Sequence, residues 1–252
     1  EMEELGSDEE QRPVARNKIF VGFSFLMTQI EPAQARQLEK MIKRMGGKVL
    51  KSVEEAQKEE ANLNAESSSS ASSGSIPLVL APRPLLTRKA LYAMARGLCT
   101  LLPEFVPESR SSRGLADPLS FSIPYPKPFD GRGVPAPKKW ASLVSRKGID
   151  PKPLNERIFS SVTLAIFKLN QEQAAILRAA GADLIPVDRI RSQSVPRRAA
   201  CVVSGQHGVY VEDYEGVVVG FPWVTDCILS QKIVNMDQFY CDELDDDAED
   251  DE

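Results

Sequence analysis

The sequence predicts an α/β chain of two modules, each a small parallel four-stranded sheet flanked by helices. Three observations carry that prediction. Short apolar runs such as IPLVLA at 76–81 and VTLAIF at 162–167 alternate with amphipathic stretches of helical spacing; strands apolar on both faces belong to parallel sheets covered by helices. The order of elements recurs after a proline-rich stretch. And 252 residues at 42% hydrophobic composition can fill two cores in modules of roughly 100 residues each.

Residues 1–16 are acidic and expected to be disordered. Asn17 to Phe25 (NKIFVGFSF) reads as a first strand, interrupted by Gly22 where another backbone approaches closely. Pro32 opens a helix with Ala35, Leu38, Met41, Ile42 and Met45 at helical spacing, and Gly46-Gly47 stop it. Lys48 to Val53 is the next strand. Residues 54–75 run from charged to SSSSASSGS and are expected to be an exposed, disordered insertion, since they carry too little apolar surface to offset ordering. Ile76 to Ala81 is a strand, and a helix follows with Thr87 as N-cap and Gly97 as C-cap. Its Leu91, Tyr92, Met94 and Ala95 give it apolar residues on more than one side, as for a helix touching both its own sheet and a neighbour. Leu98 to Leu102 reads as a fourth strand, and Pro103 to Val106 as a short helix limited by Pro107, closing a first module at 17–106.

Residues 107–156 hold nine prolines and read as a semi-rigid linker lying along the junction of the modules. The second module, 157–241, offers strands at 162–167, 182–187, 199–204 and 216–221. Its helices are Gln171 to Ala180, stopped by Gly181, and Pro222 to about Lys232. GQHGVYVEDYEG at 205–216 reads as a loop or a single turn, and 242–252 is an acidic tail.

Composition narrows the function. The formal net charge is -5, yet residues 1–10 and 242–252 hold 15 of the 36 acidic residues, so the body carries 21 against 31 basic ones, a net +10. No run approaches the roughly 18 apolar residues of a membrane span, and the acidic start is unlike a signal or transit peptide. The expectation is a soluble intracellular protein without membrane contact. Cys99, Cys201, Cys227 and Cys241 lack metal spacing, so free thiols in a reducing compartment are expected. His207 is the single histidine; it excludes multi-histidine metal sites and reads as an exposed loop residue. There is neither GxGxxG after a strand nor GxxxxGK[ST], and the carboxylates outside the tails lie mainly in loops or on polar helix faces. No catalysis, metal or cofactor is expected.

Three stretches then match a known family. Phe20-Val21-Gly22-Phe23, Gly46-Gly47-Lys48-Val49 and Thr87-Arg88-Lys89 opening a helix that ends at Gly97 resemble the first member of a BRCT pair. Ala180-Gly181-Ala182 and Phe221-Pro222-Trp223-Val224-Thr225-Asp226-Cys227 resemble the second, with a buried Trp in its last helix. Through NKIFVGFSFLMT, LLTRKALYAMARG and FPWVTDCILSQKIV, the pair looks most like the C-terminal tandem of the p53-binding type of DNA-damage checkpoint mediators and their fungal counterparts.

The resemblance implies a nuclear scaffold that reads a phosphorylated Ser or Thr peptide, with a phosphorylated histone tail as a ligand and a p53-like partner at the inter-domain linker. By position it assigns the phosphate to Gly22 and Lys89, with Thr87 and Arg88 beside them. Val21 stands where a Ser or Thr hydroxyl is usual, which leaves Ser24 or Thr28 as substitutes. Leu86 stands where relatives carry an arginine that reads the peptide, a role open to Arg83 or Arg88. The resemblance makes Gly46, Gly47, Gly97, Gly181 and Trp223 structural.

Plainer readings stand beside these: Lys89 as a solvated helix lysine, Gly22 as strand packing, Thr87 as an N-cap alone, Cys227 as a packed thiol. Two alternatives to the phosphopeptide reader are phosphate-independent protein contact and weak DNA binding through Arg110, Arg113, Arg132, Lys138, Lys139, Arg146 and Lys147. The second module is expected to contribute no phosphate site, since its first strand ends in Phe167-Lys168 without glycine.

Overall fold

A computed structural model describes residues 18–65, 75–123, 154–205 and 214–240. In the first module β1 (Phe23–Met27), β2 (Lys48–Leu50), β3 (Ile76–Leu80) and β4 (Thr100–Leu101) form a parallel sheet in the order β2-β1-β3-β4. It is accompanied by α1 (Pro32–Arg44), α2 (Val53–Ala65), α3 (Arg88–Ala95) and α4 (Phe105–Ser111). The second module repeats the sheet as β6-β5-β7-β8, from β5 (Thr163–Phe167), β6 (Asp183–Pro186), β7 (Val202–Ser204) and β8 (Val218–Gly220), again all parallel. Its described helices are α5 (Gln171–Ala179) and α6 (Phe221–Ser230). The fold class is the predicted one.

Local chemistry sets the helix ends. Pro32 opens α1 as read, and the Glu31 carboxylate caps it by accepting from the Ala33 and Gln34 N–H groups at 3.0 Å, which holds that carboxyl below its ordinary range. At its other end Gly47 is held by space, since a Cβ there would lie 2.8 Å from Ile42 Cγ2 and 3.0 Å from Phe20 Cβ. Thr87 caps α3 by accepting from Ala90 N–H at 3.3 Å, and Gly97 closes it as read.

The strands expected at 98–102, 199–204 and 216–221 are shorter, at Thr100–Leu101, Val202–Ser204 and Val218–Gly220, and four further elements differ from the sequence reading. The first strand starts at Phe23 rather than Asn17; residues 18–22 form a turn in which Phe20 is fully buried and Gly22 takes φ of 82° before the ladder begins. The strand after α1 ends at Leu50 rather than Val53. Residues 54–65, expected to be disordered, belong to α2, and 66–74 lie outside the described residues. The helix forms because Ser52 Oγ accepts from Glu55 N–H at 3.3 Å while the Glu55 carboxylate accepts from Lys51 N–H at 2.7 Å, one residue before the cap, and because Val53 and Ala56 are fully buried. Finally, α4 runs through Pro107, which sits in the first turn where a missing N–H costs no helical bond. The expected linker therefore begins with a helix and a 3-10 turn at Pro118–Phe121. Its residues 124–153 lie outside the described ones, as do the two acidic ends, His207 and Cys241.

That turn region also shields a sheet edge: Leu102 N–H donates to Phe121 O at 2.8 Å and Ile123 N–H to Thr100 O at 2.9 Å. In the second module Gly220 N–H donates to Phe239 O at 3.0 Å in the same way. Covered edges remove a template for unwanted pairing.

One apolar cluster runs through both modules, from Phe20, Phe25 and Phe105 to Phe159, Ile176 and Trp223. Its middle is α3, where every residue from Ala90 to Ala95 is buried. This helix packs on β3 and β4 of its own sheet and on α5 and α6 of the second module, while α2 also reaches α5. Trp223 lies against Phe159 with ring centroids 5.4 Å apart and donates its indole N–H to Val234 O at 3.0 Å.

Because the core is continuous, Trp223→Ala should destabilise the chain by about 3–5 kcal/mol and both modules should melt together. Urea denaturation followed by two probes, one per module, checks this; separated transitions would contradict it.

The α2 helix is tied down by Glu59, whose carboxylate accepts from Lys48 Nζ at 2.9 Å and Ser75 Oγ at 2.9 Å. Burial works against the charged form of Glu59, but these bonds and the Lys48 charge outweigh it and lower the pKa below 4.5. The stabilisation is therefore present above the ordinary carboxylate range and is lost as pH falls through the lowered value. Amide exchange of 53–59 should speed up across that acidic window, and Glu59→Gln should abolish the pH dependence.

Candidate functional site

Parallel β-α units bring the C-terminal ends of the strands and the N-termini of the following helices to one end of a sheet. In the first module that end is formed by Met27, Thr28 and Gln29 after β1 and by Thr87, Arg88 and Lys89 at the start of α3. Thr28 is nearly buried, and its N–H donates to Leu80 O at 3.0 Å, extending the sheet by one bond. The Thr28 hydroxyl donates to Thr87 Oγ1 at 3.2 Å. Thr87 Oγ1 thus accepts from Thr28 and from Ala90 N–H, which leaves its own proton as a donor. Gln29 follows at φ of 54°, and its N–H has no acceptor among the described residues.

Lys89 is half-buried, and its ammonium donates to Met27 O at 2.9 Å. Two of its three N–H bonds remain for another acceptor. Burial pushes its pKa below 10.5, and the nearby Glu172 and Glu55 carboxylates pull it partly back. The N-terminal end of α3 adds positive dipole to this corner. Arg88, exposed, is ion-paired with Glu172 at the start of α5, a bond between the modules. Two donor hydroxyls or N–H groups, an ammonium and a helix N-terminus converging on one corner are the elements of an anion site.

The structure brings Thr28, Thr87 and Lys89 together, and Arg88 sits beside them. It does not bring Gly22 and Val21 to them. Both precede β1, at the opposite end of a five-residue strand, so about 20 Å of extended chain separates Gly22 from Thr28. Gly22 instead accepts from Ile76 N–H at 2.8 Å, and Val21, 59% exposed, lies beside Gly46. The expected pairing of Gly22 with Lys89 fails because the strand begins at Phe23, just after Gly22, so the glycine precedes the ladder instead of lying at its far end. Ser24 fails for a different reason: it is fully buried in mid-strand, and its hydroxyl has no partner among the described residues. Arg83 and Leu86 are both exposed in the segment leading into α3.

Gln29 and Glu172 were not singled out from sequence. The positive φ of Gln29 has no sequence signal, and Glu172 depends on how the modules dock. Gly46, Gly47, Gly97 and Gly181 follow helix ends, and Trp223 is buried, as expected.

In the second module the matching strand end carries Lys168, exposed, at φ of 50° with its ammonium 4.9 Å from the centre of the Phe167 ring. An ideal Cβ on Gly205 would sit 2.4 Å from Lys168 O, so backbone closes tightly over this end. No described helix lies between β7 and β8 to aim its N-terminus there. Three cysteines, Cys99, Cys201 and Cys227, are buried free thiols whose pKa burial raises to about 12, so they are not thiolates at neutral pH.

No family model matches the chain, and no curated protein matches its sequence. Solved structures match at low identity. The Brc1 BRCT5-BRCT6 domains of S. pombe share 12% identity over 84% of this chain and 94% of that one, at a TM-score of 0.47. The FHA/BRCT-repeat domain of S. pombe Nbs1 shares 9% over 83% of this chain and 60% of that one, at 0.41. Rad4 BRCT1,2 in complex with a Crb2 phosphopeptide shares 14% over 88% of this chain and 98% of that one, at 0.27.

Removing the inter-module carboxylate should move Lys89 in a defined direction. Glu172→Gln takes away a charge that raises the Lys89 pKa, so that pKa should fall further. A ¹³Cε titration of Lys89 reads it. Stability should change by less than about 1 kcal/mol, because the pair is exposed.

Proposed function

We propose that this chain is a non-catalytic reader of phosphorylated Ser or Thr peptides, with the phosphate held at the corner where β1 meets α3. The observation that carries the reading is the Lys89 ammonium fixed on Met27 O beside the Thr28–Thr87 hydroxyl pair at a helix N-terminus. In this reading Lys89 supplies charge, Thr87 and the Gln29 N–H supply hydrogen bonds, and Thr28 orients Thr87. Each charge-assisted bond to phosphate is worth about 1.5–3 kcal/mol. Arg83, exposed upstream of α3, is the candidate reader of residues flanking the phosphate. The biological setting proposed with it is a nuclear DNA-damage checkpoint scaffold, with a phosphorylated histone tail as the ligand class and a p53-like partner at the 107–156 linker. The second module supports the first and holds no phosphate itself.

Lys89→Met should weaken binding to a phosphopeptide array roughly tenfold or more with little change in melting temperature. Gly22→Ala and Lys168→Ala should leave that affinity intact, although Gly22→Ala costs about 1–2 kcal/mol of stability through its positive φ. Isothermal titration with the best array peptide and its unphosphorylated form decides the matter, and equal affinity for the two forms would sink the reading.

A further inference from the structure

A second charged surface lies on the other module. The connection from β6 to β7, residues 187–201, carries Arg189, Arg191, Arg197 and Arg198, all exposed. None of the four is ion-paired among the described residues. Asp188 is the only carboxylate in the connection, so its net charge is +3.

This connection is pinned, unlike an ordinary surface loop. Val187, Ile190 and Val195 are all more than nine-tenths buried and form a separate apolar cluster with Ala165, Phe167, Val202 and Val218 of the sheet. Ser194 and Val195 N–H both donate to Arg191 O, at 2.9 and 3.0 Å, closing a turn between the two arginine pairs. The segment covers a sheet face as a helix would, and its arginines are held outward on an ordered backbone. Pre-ordering lowers the entropy lost when a partner binds.

We infer that this four-arginine connection binds the phosphodiester backbone of duplex nucleic acid, independently of the β1–α3 corner. The composition of the exposed face selects that partner. Besides the arginines it shows Ser192, Gln193 and Ser194, groups of the kind that contact phosphate oxygens, while its large aliphatic residues, Val187, Ile190 and Val195, are buried in the core. A peptide ligand gains its specificity from side-chain pockets, and the apolar residues the connection leaves accessible, Pro196, Ala199 and Ala200, are too small to build a deep one. A uniform, repeating polyanion needs only charge and donors.

The test uses the full chain and a fluorescein-labelled mixed-sequence duplex, read by anisotropy across a salt series. Binding should weaken as salt rises. The quadruple variant Arg189→Ala, Arg191→Ala, Arg197→Ala, Arg198→Ala should bind at least about tenfold more weakly and flatten the log–log salt slope by about 3 to 4, near 0.9 per lost phosphate contact. The two paired variants, Arg189→Ala with Arg191→Ala and Arg197→Ala with Arg198→Ala, should each give about half that change and stand in if the quadruple variant melts early. Lys89→Met should bind duplex as the wild type does. Absence of duplex binding by the wild type, full binding retained by the arginine variants, or equal affinity for polyglutamate would each overturn the inference.

Discussion

The structure depends on the burial of α3 from all sides. A helix with six consecutive buried residues cannot present any stripe to water, so its own sheet can cover only part of it and a second body must cover the rest. The α5 and α6 helices do this. Alanines are three of the six buried residues of α3, Ala90, Ala93 and Ala95, and three of the five of α5, Ala174, Ala175 and Ala179, and small side chains let helix axes approach closely. Both ends of α3 are tied across the same junction. Arg88 pairs with Glu172 at one end, and Gln231 Nε2 donates to Met94 O at 3.1 Å near the other. Gln231 holds φ of 52° there, a conformation that costs a non-glycine residue about 1–2 kcal/mol and that its two side-chain bonds, to Met94 O and Ile228 O, help to offset.

The candidate site follows from that packing and from strand polarity together. Parallel strands put every β-to-α turn at one end, so a helix N-terminus and the end of β1 meet without any special loop. Burial of the α3 body fixes the height and rotation of its first turn. Lys89 therefore reaches back to Met27 O as a positioned side chain, where an exposed helix lysine would sample many rotamers. The same docking sets the electrostatics of the corner, since Glu172 arrives with α5.

Much of the fold was legible because each strand centre is a short run of apolar residues and the first three helix stops after β1, β3 and β5 are glycines. What failed did so for identifiable reasons. The run from Ile19 to Met27 is apolar apart from Gly22 and Ser24, yet its first part packs as a turn, with Phe20 edge-on to Phe25 at 4.9 Å, and only its second part joins the ladder. Placing the strand too early put Gly22 at the wrong end of it and demoted Thr28 to a substitute. The α2 helix was hidden by charge, although Ser52 and Glu55 stand at the spacing of a helix cap. Lys89 and Thr87 were legible as a helix start; the bond from Thr28 to Thr87 spans 59 residues and has no local signal.

The division of polarity over the two modules is itself a consequence of how each sheet is covered. In the first module helices lie on both sides of the sheet, and cations appear where a helix begins. The second sheet gives one face to α5, α6 and the shared core, and its other face is closed by the 187–201 connection with three buried aliphatic anchors. A connection that must return apolar side chains to a sheet at 187, 190 and 195 has few intervening positions, and those positions face solvent. Placing arginine at two of them, 189 and 191, and at 197 and 198 just beyond the last anchor concentrates charge on a backbone held by those anchors. Mutual repulsion among those guanidiniums weakens the free fold slightly. A polyanion laid across them would relieve that repulsion while leaving the core beneath unchanged.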